Sequence, residues 1–151
     1  NKERGANAPG STASSCLLGQ PFALANPMQK KIVELARQVP SPGPGLCPEW
    51  IADIYEHAGF RNVHKDACDY YWDYCKYTDY SQLKVGMVIA VPSHTHTYMG
   101  GINGLVCLYI GNNQVMDNVG RIRMLDMAYW LDYYSTSYKL KWGWYDNVLL
   151  A

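Results

Sequence analysis

The hydrophobic period of the chain changes at Gly86, and this change limits the folds open to it more than any other feature. Before Gly86, apolar residues recur at steps of three and four, as on a helix; after it they form short runs separated by Gly and Asn turns. Met28, Ile32, Leu35, Ala36 and Val39 share one face of a first helix, with Asn26 placed to cap it and Pro27 at its first position. Pro40-Ser41-Pro42-Gly43-Pro44-Gly45 stops that helix and reads as a stiff loop. A second helix opens abruptly at Cys47-Pro48, buries Trp50, Ile51, Ile54, Tyr55 and Ala58, and ends at Gly59. A third is expected from Asp66 to about Tyr77, with Cys68, Tyr71, Trp72 and Cys75 inward. Beyond Gly86, Met87 to Val91 reads as a strand ended by Pro92, and Ser93 to Gly101 as a polar loop. Strands then follow at 105–110, 114–118 and 121–124, joined by turns at Gly111-Asn112-Asn113 and Val119-Gly120. Asp126 caps a short helix through about Tyr134, and Tyr138 to Trp144 alternates as a closing strand. Helices first and an antiparallel sheet after them make an α+β domain.

A chain of 151 residues is expected to hold one core. Thirteen basic residues balance thirteen acidic ones, so the basic footprint of a nucleic-acid binder is absent, as is an electrostatic membrane anchor. No apolar run approaches 18 residues, which argues against membrane insertion. Residues 1–26 are rich in Gly, Ala, Ser, Asn and Pro and read as a linker or tail before a domain at 27–151, as in the last module of a longer, monomeric protein. The five cysteines, Cys16, Cys47, Cys68, Cys75 and Cys107, show no zinc spacing with one another or with the four histidines, so neither metal nor cofactor is expected. Cys68, Cys75 and Cys107 read as small buried hydrophobes. The aromatic content is skewed, with 13 Tyr and 5 Trp against 2 Phe. Side chains with an apolar body and a polar tip suit a half-wet groove. Tyr98, Trp142 and Trp144 are the candidates to line one, with core packing an equal alternative for the two tryptophans.

Cys47 follows a Pro/Gly-rich loop and begins an apolar helix. Free N–H groups and the helix dipole there favour a thiolate and can hold an oxyanion. On that basis Cys47 is expected to be the most reactive thiol, in a partly open cleft. Its segment, Leu46-Cys47-Pro48-Glu49-Trp50-Ile51-Ala52-Asp53-Ile54-Tyr55-Glu56-His57-Ala58-Gly59-Phe60, resembles the nucleophile helix of the NlpC-type and CHAP cysteine hydrolases, papain-like bacterial cell-wall enzymes. Leu83-Lys84-Val85-Gly86-Met87-Val88-Ile89-Ala90 is similar to their first strand, and Val106-Cys107-Leu108-Tyr109-Ile110-Gly111-Asn112 to their second. Val115-Met116-Asp117-Asn118 falls where they carry a third polar residue.

The resemblance implies a papain-like fold and a secreted or cell-wall-associated bacterial protein. It also implies cleavage of an amide in the peptidoglycan stem peptide by a Cys–His–polar triad. Cys47 takes the nucleophile position and Asp117 the orienting one, and Trp50 and Tyr98 are carried as substrate contacts. The general base is the departure, since Leu105 stands where the family has its His. Three explanations stay open: the chain is catalytically dead, the base has moved to His94 or His96 in the preceding loop, or Leu105 was introduced into the sequence. His57 and His64 read as surface residues. The rival to a hydrolase is a non-catalytic peptidoglycan-binding module with the same groove. The Cys47-x-x-Trp50 spacing is nearer the CHAP version, so the bond to be cut stays open between the γ-glutamyl link and the muramoyl-alanine amide.

Overall fold

A computed structural model describes residues 17–151. Helices α1 (Pro27–Ala36), α2 (Cys47–His57) and α3 (Ala67–Tyr74) precede strand β1 (Val88–Val91). A short helix α4 (Tyr98–Asn103) leads into β2 (Leu105–Gly111), β3 (Gln114–Asn118) and β4 (Ile122–Asp126). Helix α5 (Met127–Tyr134) and strand β5 (Lys141–Gly143) complete the domain. The five strands form one antiparallel sheet in the order β4-β3-β2-β1-β5. The α+β architecture expected from the change of period is therefore present.

Every residue of β1 and β2 is buried, which explains why both read as continuous apolar runs rather than alternating ones. Helix α3 packs on β1 and β2, α2 on β2 and β3, and α5 on β3 and β4. Much of the tyrosine surplus goes into this core. Tyr55 stacks on Tyr145 with centroids 4.4 Å apart, and Tyr70 meets Tyr145 edge-on. Burial is tolerated because the hydroxyls find backbone acceptors: Tyr55 donates to Gly86 O, Tyr70 to Pro48 O and Tyr145 to Arg61 O.

Several boundaries differ from the sequence reading. Asn26 caps α1 as expected, in a reciprocal box with Gln29. The Gln29 side chain goes on to Gln20 and to the Val85 carbonyl, and Gln20 N–H donates to Leu83 O. Residues 17–26 are thus tied to the domain and are not free linker; residues 1–16, with Cys16, lie outside the described residues. Helix α3 stops at Tyr74 because Lys76 and Tyr77 turn to donate their N–H groups to Trp142 O, beside β5. Its buried face is Ala67, Tyr70, Tyr71 and Tyr74, so Trp72 is 63% exposed and Cys68 half-buried instead of inward. The stretch expected as polar loop contains α4, capped by Thr97 Oγ1 accepting from Gly100 N. The closing strand shortens to β5, with Tyr138 and Lys139 outside the sheet.

The contact between α3 and β5 admits no side chain. A Cβ on Gly143 would lie 1.9 Å from the Tyr74 carbonyl oxygen and 3.0 Å from Cys75 Cα, both backbone atoms. Gly143→Ala should destabilise the domain by about 2–3 kcal/mol, the usual range for overpacking. Urea unfolding followed by far-UV circular dichroism checks this.

Candidate functional site

Cys47 occupies the first position of α2, where the preceding Leu46 supplies no side-chain cap and Pro48 has no N–H. The loop before it is fixed from β3. Asn118 Nδ2 donates to Gly43 O and Leu46 O at 3.1 and 3.2 Å, and its Oδ1 accepts from Ser41 Oγ and Gly120 N. Asn118 is buried, so this side chain sets where Cys47 begins its helix. The sequence reading placed Asn118 only as the neighbour of Asp117.

Cys47 opens onto a cavity of about 330 Å³ whose wall includes His94, Met99, Leu105 and Tyr134. The register Val91↔Leu105 and Ala90↔Val106 fixes the start of β2 there. Leu105, at the position of the expected base, lines the same cavity as the sulfur. Three of the residues named from the sequence, Cys47, His94 and Leu105, are therefore brought together.

The thiol is not the activated one expected. Cys47 is only 6% exposed. Burial pushes its pKa up to about 12, and the Asp117 and Glu49 charges act in the same direction. The N–H groups of Val106 and of Cys47 itself oppose this, but desolvation dominates. At neutral pH the sulfur is a thiol.

Asp117 is fully buried and its carboxylate is already engaged. Arg123 grips it with two bonds, Nε to Oδ1 at 2.9 Å and Nη2 to Oδ2 at 2.7 Å, and Trp130 Nε1 donates to Oδ2 at 2.9 Å. The pair faces across β3 and β4 at the register Asp117↔Arg123. Arg123 Nη2 also donates to the Tyr134 hydroxyl at 3.2 Å, and this holds Tyr134 at the cavity wall.

The two loop histidines separate. His94 is buried, with its ring edge-on to Tyr134 and its Nδ1 accepting from His96 N–H at 3.2 Å. Burial and the neighbouring His96 lower its pKa, so the ring is neutral at neutral pH and carries its proton on Nε2. His96 does not line the cavity; it stacks on Tyr133 with centroids 3.7 Å apart, and its Nε2 lies 2.6 Å from Tyr133 O. His57 and His64 are exposed, as expected.

Among the aromatic candidates, Tyr98 is 83% exposed on α4, between the cavity-lining Thr97 and Met99. Trp50 has no exposed surface and donates its Nε1 proton to Val39 O, so it is a core residue and not a substrate contact. Trp142 and Trp144 are also buried in the core, away from the cavity. Among the described residues, one group of side chains has metal-ligand spacing, Asp66, Cys68 and Asp69, and both of its carboxylates are exposed at the start of α3. No family model, no curated protein and no solved structure matches the chain.

Brief iodoacetamide treatment at neutral pH should therefore modify Cys68 well before Cys47. Burial raises the pKa of all four thiols, with Asp69 and Asp66 adding to it at Cys68, but Cys68 is only half-buried whereas Cys47, Cys75 and Cys107 are covered. Peptide mapping by mass spectrometry reads the order, and labelling of Cys47 ahead of Cys68 would overturn the thiol assignment.

Proposed function

We propose that this domain binds the stem peptide of peptidoglycan in the cleft of a papain-like cysteine hydrolase that has lost efficient turnover. One observation carries the reading: at the opening of α2 the buried, protonated Cys47 shares its cavity with Leu105. A leucine can take no proton from the thiol and give none to a leaving amine. The order of the segments that resemble that family, Cys47 on α2, Leu105 on β2 and Asp117 on β3, supports descent from an NlpC- or CHAP-type hydrolase. The cavity is within the range of small-ligand sites. On this reading the protein is secreted or cell-wall associated, and it holds peptide without cutting it.

A second reading has one observation in its favour: His94 lines the same cavity and is an imidazole near a thiol. Its Nδ1 is already an acceptor for His96 N–H, so the free ring nitrogen is the protonated one, a donor and not a base.

Co-sedimentation with purified peptidoglycan sacculi, competed by soluble muropeptides, tests the proposal. Saturable, competed binding is expected. A protein that stays in the supernatant would defeat it.

A further inference from the structure

We propose that the cavity beside Cys47 is a receptor for a neutral peptide carbonyl, held by the Tyr134 hydroxyl and His94 Nε2–H, with Asp117 and Arg123 acting as positioning residues for Tyr134. This rests on the peptide-binding reading above and specifies which part of the peptide the site takes.

Tyr134 Oη accepts from Arg123 Nη2, and Arg123 is itself held by both oxygens of Asp117. A hydroxyl whose oxygen is occupied by a guanidinium directs its own proton elsewhere. Among the described residues that proton has no acceptor, and Tyr134 lines the cavity. His94 repeats the arrangement. Its Nδ1 is filled by His96 N–H, so Nε2 bears the proton, and Nε2 has no partner among the described residues. The side chain is 4% exposed and lines the cavity. Two donors thus border one mostly apolar cavity with no protein acceptor among the described residues, and a ligand oxygen can take the place of water on both.

The charge of that oxygen follows from the surroundings. Asp117 and Glu49 both make the potential at Cys47 unfavourable to a negative charge, and Asp66 stands on the cavity wall. Arg123 is neutralised by Asp117. A carboxylate therefore meets repulsion, and no lysine or arginine among the described residues lines the cavity to offset it, whereas a peptide carbonyl meets none. The site favours the interior of a peptide over its free C-terminal end.

The position of the second donor depends on Gly100. A Cβ there would lie 2.2 Å from both Cε1 and Nε2 of His94. Gly100→Ala displaces the ring, and its Cβ would also lie 2.8 Å from Thr97 Oγ1, the cap of α4; the Asp117–Arg123 pair is not among the atoms it meets.

The test is a titration of the ¹⁵N-labelled chain, read by amide shifts at 105–106 and 134, with two probes. These are N-acetyl-D-alanyl-D-alanine methylamide and the corresponding free acid. The methylamide should bind at least about tenfold more tightly than the acid. Tyr134→Phe should weaken the methylamide about tenfold, the usual value of one hydrogen bond, and leave the acid unchanged. Gly100→Ala should weaken the methylamide by a similar factor. Equal or tighter binding of the acid overturns the inference, as does methylamide affinity that survives both substitutions. If sacculi bind and neither probe does, this inference falls and the peptidoglycan reading stands; if sacculi fail as well, both fall.

Discussion

Leu105→His should raise amidase activity on peptidoglycan at least about 10²-fold above the background of the parent chain. General acid–base assistance is typically worth 10²–10⁴-fold, and the unmodified chain lacks it beside the thiol. Leu105 already lies on the wall of the cavity that Cys47 opens onto, so an imidazole introduced there needs no rearrangement of β2 to face the sulfur. The orienting group has room for it. Among the described residues Asp117 Oδ1 accepts only from Arg123 Nε, while Oδ2 takes both Arg123 Nη2 and Trp130 Nε1. A carboxylate offers about four lone-pair positions, so Oδ1 retains one for a ring N–H. An imidazolium beside Cys47 also opposes the desolvation that keeps the sulfur protonated. A turbidity assay on sacculi compares the parent, Leu105→His and His94→Ala. If the parent is already active and His94→Ala abolishes the activity, the base has moved to His94 and the account of a lost base is wrong.

The second large effect is on stability. Asp117→Ala should destabilise the domain by about 3–5 kcal/mol, the range for removing one partner of a buried ion pair. The substitution strips the acceptor from Arg123 and Trp130 together, and Trp130 is fully buried. For a domain of this size the loss corresponds to a fall in Tm of roughly 10 °C or more. Asp117→Leu combined with Arg123→Leu should be less harmful than Asp117→Leu alone, because no unpaired charge is left. Thermal melts of the three variants measure it. A Tm for Asp117→Ala within a few degrees of the parent would mean that the pair contributes little.

How far the site is legible in the sequence differs from residue to residue. The start of α2 is legible because Pro40 to Gly45 permits neither helix nor strand and the apolar stripe begins directly after it. Strands β1 and β2 are legible as apolar runs bounded by Gly86, Pro92 and Gly111. The protonation of Cys47 is not. Sequence position reveals the helix dipole but not that β2 will seal the sulfur from water, and here desolvation outweighs the dipole. The end of α3 is equally hidden, since Trp142, far along the chain, captures the backbone of Lys76 and Tyr77. Helix α4 escapes notice because Tyr98-Met99-Gly100-Gly101-Ile102-Asn103 is short and glycine-rich, and its cap and the packing of His94 on Gly100 hold it. Asp117 is legible as a polar residue in an apolar strand, and its partner is equally within reach. A tight turn at Val119-Gly120 sets Arg123 directly across the hairpin from it. Asn118, which holds the Cys47 loop, has no local signature, because Gly43 and Leu46 reach it only once the sheet has formed.

On the proposed reading this cleft holds stem peptide and does not cut it. The most direct measurement is mass spectrometry of the soluble products and new amide-derived ends after prolonged incubation of the parent chain with sacculi, alongside its co-sedimentation with the same sacculi. Competed co-sedimentation is expected, with no new ends above those from a Cys47→Ala control. New stem-peptide ends released by the parent and absent from the Cys47→Ala digest would contradict it.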